Sequence, residues 1–180
     1  VDPMCGSGTF PIEAAEMALG LLPGRARHFA FQDMAGYDAE AWEAMRAGGA
    51  PRDTALRFYG FDRDAGAVRM ATANAARAGV DHITEFTCQP ISALLPPEGP
   101  RGLVVVNPPY GARIGNRKLL FGLYGALGEV LRTQFRGWRV GLVTSDAGLA
   151  RATELPFLPD ATSVAHGGIK ITLHRTGVLR

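Results

Sequence analysis

Apolar and polar positions alternate along this chain in two rhythms, one helical and one extended. Ile12, Ala15, Met17, Ala18, Leu21 and Leu22 fall on one helical stripe, and Pro23-Gly24 is a stop signal, so a helix is predicted over Ile12–Leu22. "ALRFYGFD" (55–62) reads as a strand ending at Asp62. Asp64 then stands where an N-cap belongs, ahead of a helix over Ala65–Ala78 that Gly79 terminates. "ITEFTC" (83–88) is a further strand. "GLVVVN" (102–107) is apolar on both faces, as a central strand of a parallel sheet would be. A helix over Leu119–Thr133, a strand at "WRVGLVTSD" (138–146) and a short helix over Gly148–Thr153 follow. "ATSVAHGG" (161–168) and "IKITLHRTGV" (169–178) form an antiparallel hairpin turning at Gly167-Gly168. One stretch fits neither rhythm: "RARHFAFQDMAGYDAEAWEAMRAGGAPRD" (25–53). Its middle predicts a short helix capped by Asp38 and carrying Trp42 and Met45, broken by Gly48-Gly49 and Pro51.

Strands alternating with helices and closing on a hairpin predict an α/β fold: a doubly wound, Rossmann-like sheet with an antiparallel C-terminal edge. The chain's 180 residues suffice for one domain with a substantial core. Ligands of such sheets bind at the carboxyl ends of the strands. Three features fall at that edge: the loop after Asp2, Asp62 and Asn107.

Charge and cysteine content narrow the picture only slightly. The net charge of +2 does not mark a nucleic-acid binder by itself. Lys118 and Lys170 are the only lysines among the 19 basic residues, a bias that points to genome composition rather than function. Cys5 and Cys88 stand alone, without metal-ligand spacing or a disulfide framework, as expected of a cytoplasmic protein without a metal. There is no signal-peptide pattern and no apolar run long enough to cross a bilayer.

The chain opens on "VDPMCGSGTF". Asp2 reads as the end of a strand, and Cys5-Gly6-Ser7-Gly8-Thr9 as a loop into a helix starting near Phe10-Pro11. Gly6 and Gly8 allow a ligand to approach the backbone, and N–H groups at such a helix start attract negative charge. A nicotinamide dinucleotide would want a third glycine and an acid about 20 residues further on. Here Pro11 follows Gly8, and the acid Asp62 is far more distant. A Walker loop is excluded by the absent Gly-Lys-Ser/Thr. What remains is a nucleoside whose ribose hydroxyls need an acidic acceptor but which carries no pyrophosphate, a description that S-adenosylmethionine meets.

"VVVNPPYG" ends the apolar strand with Asn107-Pro108-Pro109-Tyr110. The prolines fix φ and remove two donors, leaving a rigid turn rich in acceptors: the Asn107 side-chain oxygen and the Pro108 carbonyl. Such acceptors can hold both hydrogens of an exocyclic amine. They favour the pyramidal nitrogen and stabilise positive charge developing as a methyl group arrives. Tyr110 supplies a face on which a base can stack.

"DPMCGSGTFPIEAA" together with "NPPYG" resembles the class I S-adenosyl-L-methionine-dependent amino-methyltransferases. "RHFAFQDM…YDAEAWEAM", "GFDRDAGAVRMATANAARAGV" and "VVVNPPYGARIG" are similar, more narrowly, to the THUMP-linked (RlmL-like) RNA guanine-N2 methyltransferases. Members of that family act on 23S rRNA in bacteria and on tRNA in archaea, and often carry the label of N6-adenine-specific DNA methylase. The resemblance covers almost the whole chain. It implies a methyltransferase catalytic domain over 1–180 with a family-type insertion at 25–53. It also implies that the start of the first strand and an N-terminal THUMP module lie outside this chain. By the same resemblance, Asp2, Pro3, Met4, Cys5, Gly6, Ser7, Gly8 and Thr9 hold the methionine end of the cofactor. Asp62 takes the ribose hydroxyls, and Arg63 lies beside the adenine. Asn107, Pro108, Pro109 and Tyr110 form the target-amine site. The family's acid facing the adenine amine is replaced by Pro90, so that role falls to Gln89 or the backbone of Ile91.

Other residues carry less. Exocyclic amine methylation needs no covalent nucleophile, so Cys5 is expected to be a small loop residue. His28, His82, His166 and His174 have no partners suggesting a triad. Arg113, Arg117 and Lys118 follow the NPPY turn and are candidates for RNA phosphate contacts. The expected function is methyl transfer from S-adenosylmethionine to the N2 amine of guanine in RNA. The alternatives are a DNA adenine-N6 or cytosine-N4 methyltransferase, and a non-catalytic RNA-binding module of the same fold.

Overall fold

Strands β1 (Phe58–Asp62) and β2 (Thr84–Cys88) run parallel, with Phe58 opposite Thr84 and Asp62 opposite Cys88. A second group comprises β3 (Leu103–Val106), β4 (Arg139–Thr144), β5 (Thr162–His166) and β6 (Ile169–Arg175), in spatial order β3-β4-β6-β5. Here β3 and β4 are parallel, and β6 is antiparallel to both its neighbours. The computed structural model describes residues 1–47, 52–110, 117–166 and 168–180. The predicted breaks at Gly48-Gly49 and Pro51 and the turn residue Gly167 lie outside them. Gly168 does take the left-handed conformation, at φ 80°.

Val1 and Asp2 join the two groups of strands. The Asp2 N–H donates to the Tyr59 carbonyl at 2.8 Å, and the Val105 N–H donates to the Val1 carbonyl at 2.9 Å. The order across the molecule is therefore β2-β1-(Val1-Asp2)-β3-β4-β6-β5. The chain steps one way through helix α1 (Thr9–Ala18) to β1 and through α3 (Ala65–Ala78) to β2. It steps the other way from β3 through α4 (Arg117–Gln134) to β4. Right-handed crossovers place helices of opposite step on opposite faces, which makes this a doubly wound sheet. Its switch point lies between Asp2 and β3.

The two halves have separate cores. Ile12, Ala15, Ala75, Val80 and Ile83 pack where α1 and α3 cover β1 and β2. Val104 and Val106 of β3, Val140 and Leu142 of β4, and Tyr124, Leu127 and Leu131 of α4 form the larger cluster. Each such aliphatic side chain contributes about 1.5–3 kcal/mol by leaving water.

Helix α3 has the predicted bounds, with Asp64 accepting from the Gly66 and Ala67 N–H groups and Gly79 left-handed at its end. Helix α5 (Ala147–Ala152) begins one residue earlier than predicted, capped by Asp146. Helix α1 departs further. It stops at Ala18 rather than Leu22, because Gly20 turns left-handed at φ 69° and the Leu21 N–H closes back on the Glu16 carbonyl. Met17, predicted on the packed stripe, is 77% exposed. In the 25–53 insertion, α2 (Ala39–Ala47) is capped by Asp38 as predicted, yet it buries no residue in the core. It is held instead by its own aromatics, Phe31 lying edge-on to Trp42 at 5.0 Å and stacked on Phe29 at 5.6 Å.

Candidate active site

Leaving the sheet at Asp2, the chain stays beside β1: Phe61 N–H donates to the Asp2 carbonyl and Cys5 N–H to the Phe61 carbonyl. The loop then turns back through two left-handed glycines, Gly6 at φ 53° and Gly8 at φ 87°. They do different work. A Cβ on Gly8 would sit 2.9 Å from Ala71 Cβ and 3.0 Å from Ile12 Cδ1 and Phe86 Cε1, so Gly8 lets the loop dive against the core. A Cβ on Gly6 would meet no atom within 4 Å, so Gly6 keeps an open face.

Asp62 ties this loop to β1. Its Oδ2 accepts the Gly6 N–H at 3.0 Å and its Oδ1 the Asp64 N–H at 2.9 Å. Each oxygen keeps a lone pair for a further donor, and the side chain is only half-buried. The Asn74 amide fixes the far side of the loop by donating to the Ser7 carbonyl at 2.8 Å.

Asp2 lies beneath, 4% exposed. Burial pushes its carboxyl up to about 7; the Met4 N–H at 3.1 Å and the Val1 amino group oppose that shift, and Asp62 adds to it. Burial, helped by the Asp2 and Asp62 carboxyls, likewise pushes the Cys5 thiol up to about 12, and its sulfur lies against Gly60, where a Cβ would come within 3.0 Å of it. Pro3 is buried, Met4 packs against the larger core, and Thr9 is the exposed first residue of α1.

After β2 the chain is drawn to the same edge, the Gln89 N–H donating to the Asp62 carbonyl at 2.9 Å. Pro90 opens a single 3-10 turn, Ile91–Ala93. The Ile91 carbonyl accepts the Leu94 N–H with one lone pair, so the Ile91 backbone offers its N–H and a second carbonyl lone pair to a ligand. Arg63 is exposed, its carbonyl accepting from the Cys88 thiol.

Across the switch point, β3 ends at Val106 and the four turn residues alternate in burial. Asn107 and Pro109 are exposed, Pro108 is buried, and Tyr110 is half-buried against the larger core. Among the described residues, the Asn107 side-chain amide has no hydrogen-bond partner. Hydrogen bonds thus bring the Asp2–Gly8 loop, Asp62 and Gln89 together, and the sheet places Asn107–Tyr110 at the same edge. Arg113 lies outside the described residues. Arg117 pairs with Asp146 at 3.3 Å and lies over the Phe121 ring. Sequence reasoning missed one buried polar contact here, between the hydroxyls of Tyr124 and Thr144 at 3.3 Å. Apolar periodicity reads both residues simply as core, so no sequence signal could have found it.

Among the described residues, no group of three or more His, Cys, Asp or Glu side chains could hold a metal ion, and no helix is long and apolar enough to cross a membrane.

Compared with known proteins, residues 1–173 match the family described as "RMKL-like, methyltransferase domain". The chain belongs to that family. A ribosomal RNA large subunit methyltransferase K/L of Chromohalobacter salexigens is 40% identical over 164 residues, which is 86% of this chain and 22% of that protein. The protein of that name from a Marinomonas species is 37% identical over 189 residues, 99% of this chain and 26% of its own length. This member of the RMKL-like family therefore spans about a quarter of the curated relatives it matches. Among solved structures, that of SMU.472 complexed with S-adenosylhomocysteine superposes with a TM-score of 0.88 at 28% identity. It covers 99% of this chain and 48% of that one. The class I methyltransferase fold is shared along the whole domain.

Proposed function

We propose that this domain binds S-adenosyl-L-methionine along its carboxyl edge and transfers the methyl group to the exocyclic N2 amine of guanine in RNA, with 23S ribosomal RNA as substrate. The observation that carries this reading is Asn107. Its amide is exposed and unpartnered among the described residues, on a proline-stiffened turn across the switch point from the Gly6–Asp62 loop.

The residues present fit the cofactor. Gly6 leaves an open face, the Asp62 oxygens retain lone pairs suited to ribose hydroxyls, and buried Asp2 offers a carboxyl to an ammonium group. Gln89, the Ile91 N–H and Arg63 flank the adenine position. When bound, the cofactor supplies an electrophilic methyl group on a sulfonium. The chain's own part is to aim the nucleophile. The Asn107 side-chain oxygen and the Pro108 carbonyl accept the two amine hydrogens, which turns the nitrogen lone pair out of conjugation and stabilises charge as it develops. Tyr110 stacks the base, and the surplus amine proton leaves to solvent. The names of the two curated relatives support an RNA substrate. A THUMP module in the longer protein is proposed to supply most of the RNA affinity, since the net charge here is only +2.

The test is nucleoside mass spectrometry of ribosomal RNA and of DNA incubated with the protein and S-adenosylmethionine. N2-methylguanosine in the RNA is the expected product. N6-methyladenine or N4-methylcytosine in DNA would overturn the RNA reading, and cofactor binding without any product would mark a non-catalytic module.

A further inference from the structure

We infer that the buried Tyr124–Thr144 hydroxyl pair positions the NPPY turn, holding Tyr110 in place and with it the face on which the target base stacks. The kinetic consequences rest on the proposed methyl transfer; the geometry does not.

Both residues are fully buried, at 0% exposure, and Tyr124 belongs to a cluster otherwise built from Leu, Val, Ala and the aromatic Phe135 and Trp138. A phenylalanine and a valine would fill the same space without the cost of taking two hydroxyls out of water. The pair sits at one place, the carboxyl edge. Thr144 is the last residue of β4. Continuing the β3–β4 register beyond Val106 and Leu142 by two residues sets Thr144 level with Pro108.

The hydroxyls connect the elements around the turn. Tyr124, on α4, donates to Thr144 Oγ1, which also accepts the Asp146 N–H at 3.2 Å. Asp146 in turn caps α5 through the Gly148 N–H at 2.7 Å and accepts from Arg117 at the start of α4. Tyr110 packs against the cluster containing Tyr124. Burial pushes the Tyr124 hydroxyl up to about 12, the bond to Thr144 opposes that shift, and the Tyr110 phenol and Asp146 add to it. A satisfied buried polar contact has one good geometry, whereas apolar contacts tolerate sliding. At the end of β3, sliding would displace the acceptors that face the target amine. Tyr124 and Thr144 are positioning residues, since neither reaches the base.

Fluorine NMR of protein labelled with 3-fluorotyrosine reads this directly. The Tyr110 resonance, assigned with Tyr110→Phe, is expected to shift or broaden in Thr144→Val and to return in Thr144→Ser, while the Tyr37 and Tyr59 resonances stay in place. On RNA, Thr144→Val should lower kcat roughly ten- to a hundredfold at unchanged cofactor affinity, with Thr144→Ser recovering most of it. Tyr124→Phe keeps the ring volume and provides a second, independent removal of the bond. If both variants melt cooperatively and the Tyr110 resonance is unmoved in both, the inference is wrong whatever the activity. A kcat loss that serine fails to rescue also overturns it. A displaced Tyr110 in a protein that methylates no RNA supports the positioning role and sinks only the RNA reading.

Discussion

The Gly6 N–H donates to the Asp62 carboxylate at 3.0 Å across 56 positions of sequence, joining the tip of the first loop to the end of β1. One side chain thus shapes the loop and still offers lone pairs to a ligand. Asp62→Ala should weaken S-adenosylmethionine binding by roughly 1.5–3 kcal/mol, the value of charge-assisted hydrogen bonds. Isothermal calorimetry measures this, and unchanged affinity would remove Asp62 from the site.

The two loop glycines should fail differently. Gly8→Ala forces a Cβ against Ala71, Ile12 and Phe86 at a left-handed φ, and should cost roughly 1–3 kcal/mol of stability in a denaturant melt. Gly6→Ala meets no protein atom, so its methyl group projects into the open face. Its stability loss should be the smaller of the two, and its loss of cofactor affinity the larger relative to that loss.

Asn107→Ala should lower kcat on RNA by ~10²–10³-fold, as deleting a single transition-state hydrogen-bonding group does, with little change in KM. Tyr110→Ala should act partly through KM, by removing stacking of about 1–3 kcal/mol per base. Steady-state kinetics on one RNA substrate separates the two, and a near-normal kcat for Asn107→Ala would make the turn purely structural.

Buried Asp2 should make the free protein sensitive to pH. Its carboxyl is raised from 3.8 to about 7, so between those values the folded chain holds a proton that the unfolded chain has lost. Stability from this group is fully present below about pH 4, declines as pH rises to about 7 and is level above. Melting temperatures from pH 4 to 6 should show that decline in the wild type and a flatter profile in Asp2→Asn. Above pH 6 the buried Val1 amino group, lowered from 8.0 to about 6, works in the opposite sense. Since an ammonium group favours the ionised carboxyl, cofactor affinity should rise over the upper part of the same window and lose that dependence in Asp2→Asn.

Much of the fold was legible because its signals are local. Asp64 and Gly79 bound α3 through cap geometry within a few residues, and the apolar run of β3 marks a strand between two others, although only its Val104/Val106 face is fully buried and Leu103 on the other face is exposed. The NPPY turn is likewise readable, since proline dictates its own backbone and that of its neighbour. The misreading of α1 has the same origin in reverse: Leu21 and Leu22 continue the apolar stripe, but Gly20 had already ended the helix.

By itself, then, the sequence determined the order of strands and helices, the antiparallel hairpin at the end, and the residue types offered at the carboxyl edge. Only the tertiary structure decided that Val1 and Asp2 stitch two groups of strands into one sheet, and that Gly6 rather than Gly8 faces open space. It also decided that Asp62 already serves two backbone donors, that burial raises the Asp2 carboxyl, and that two hydroxyls meet between α4 and the end of β4. The division has one physical cause. Propensities, caps and proline act over a few bonds, whereas desolvation, close approach and hydrogen bonding between distant residues exist only once packing has brought them together.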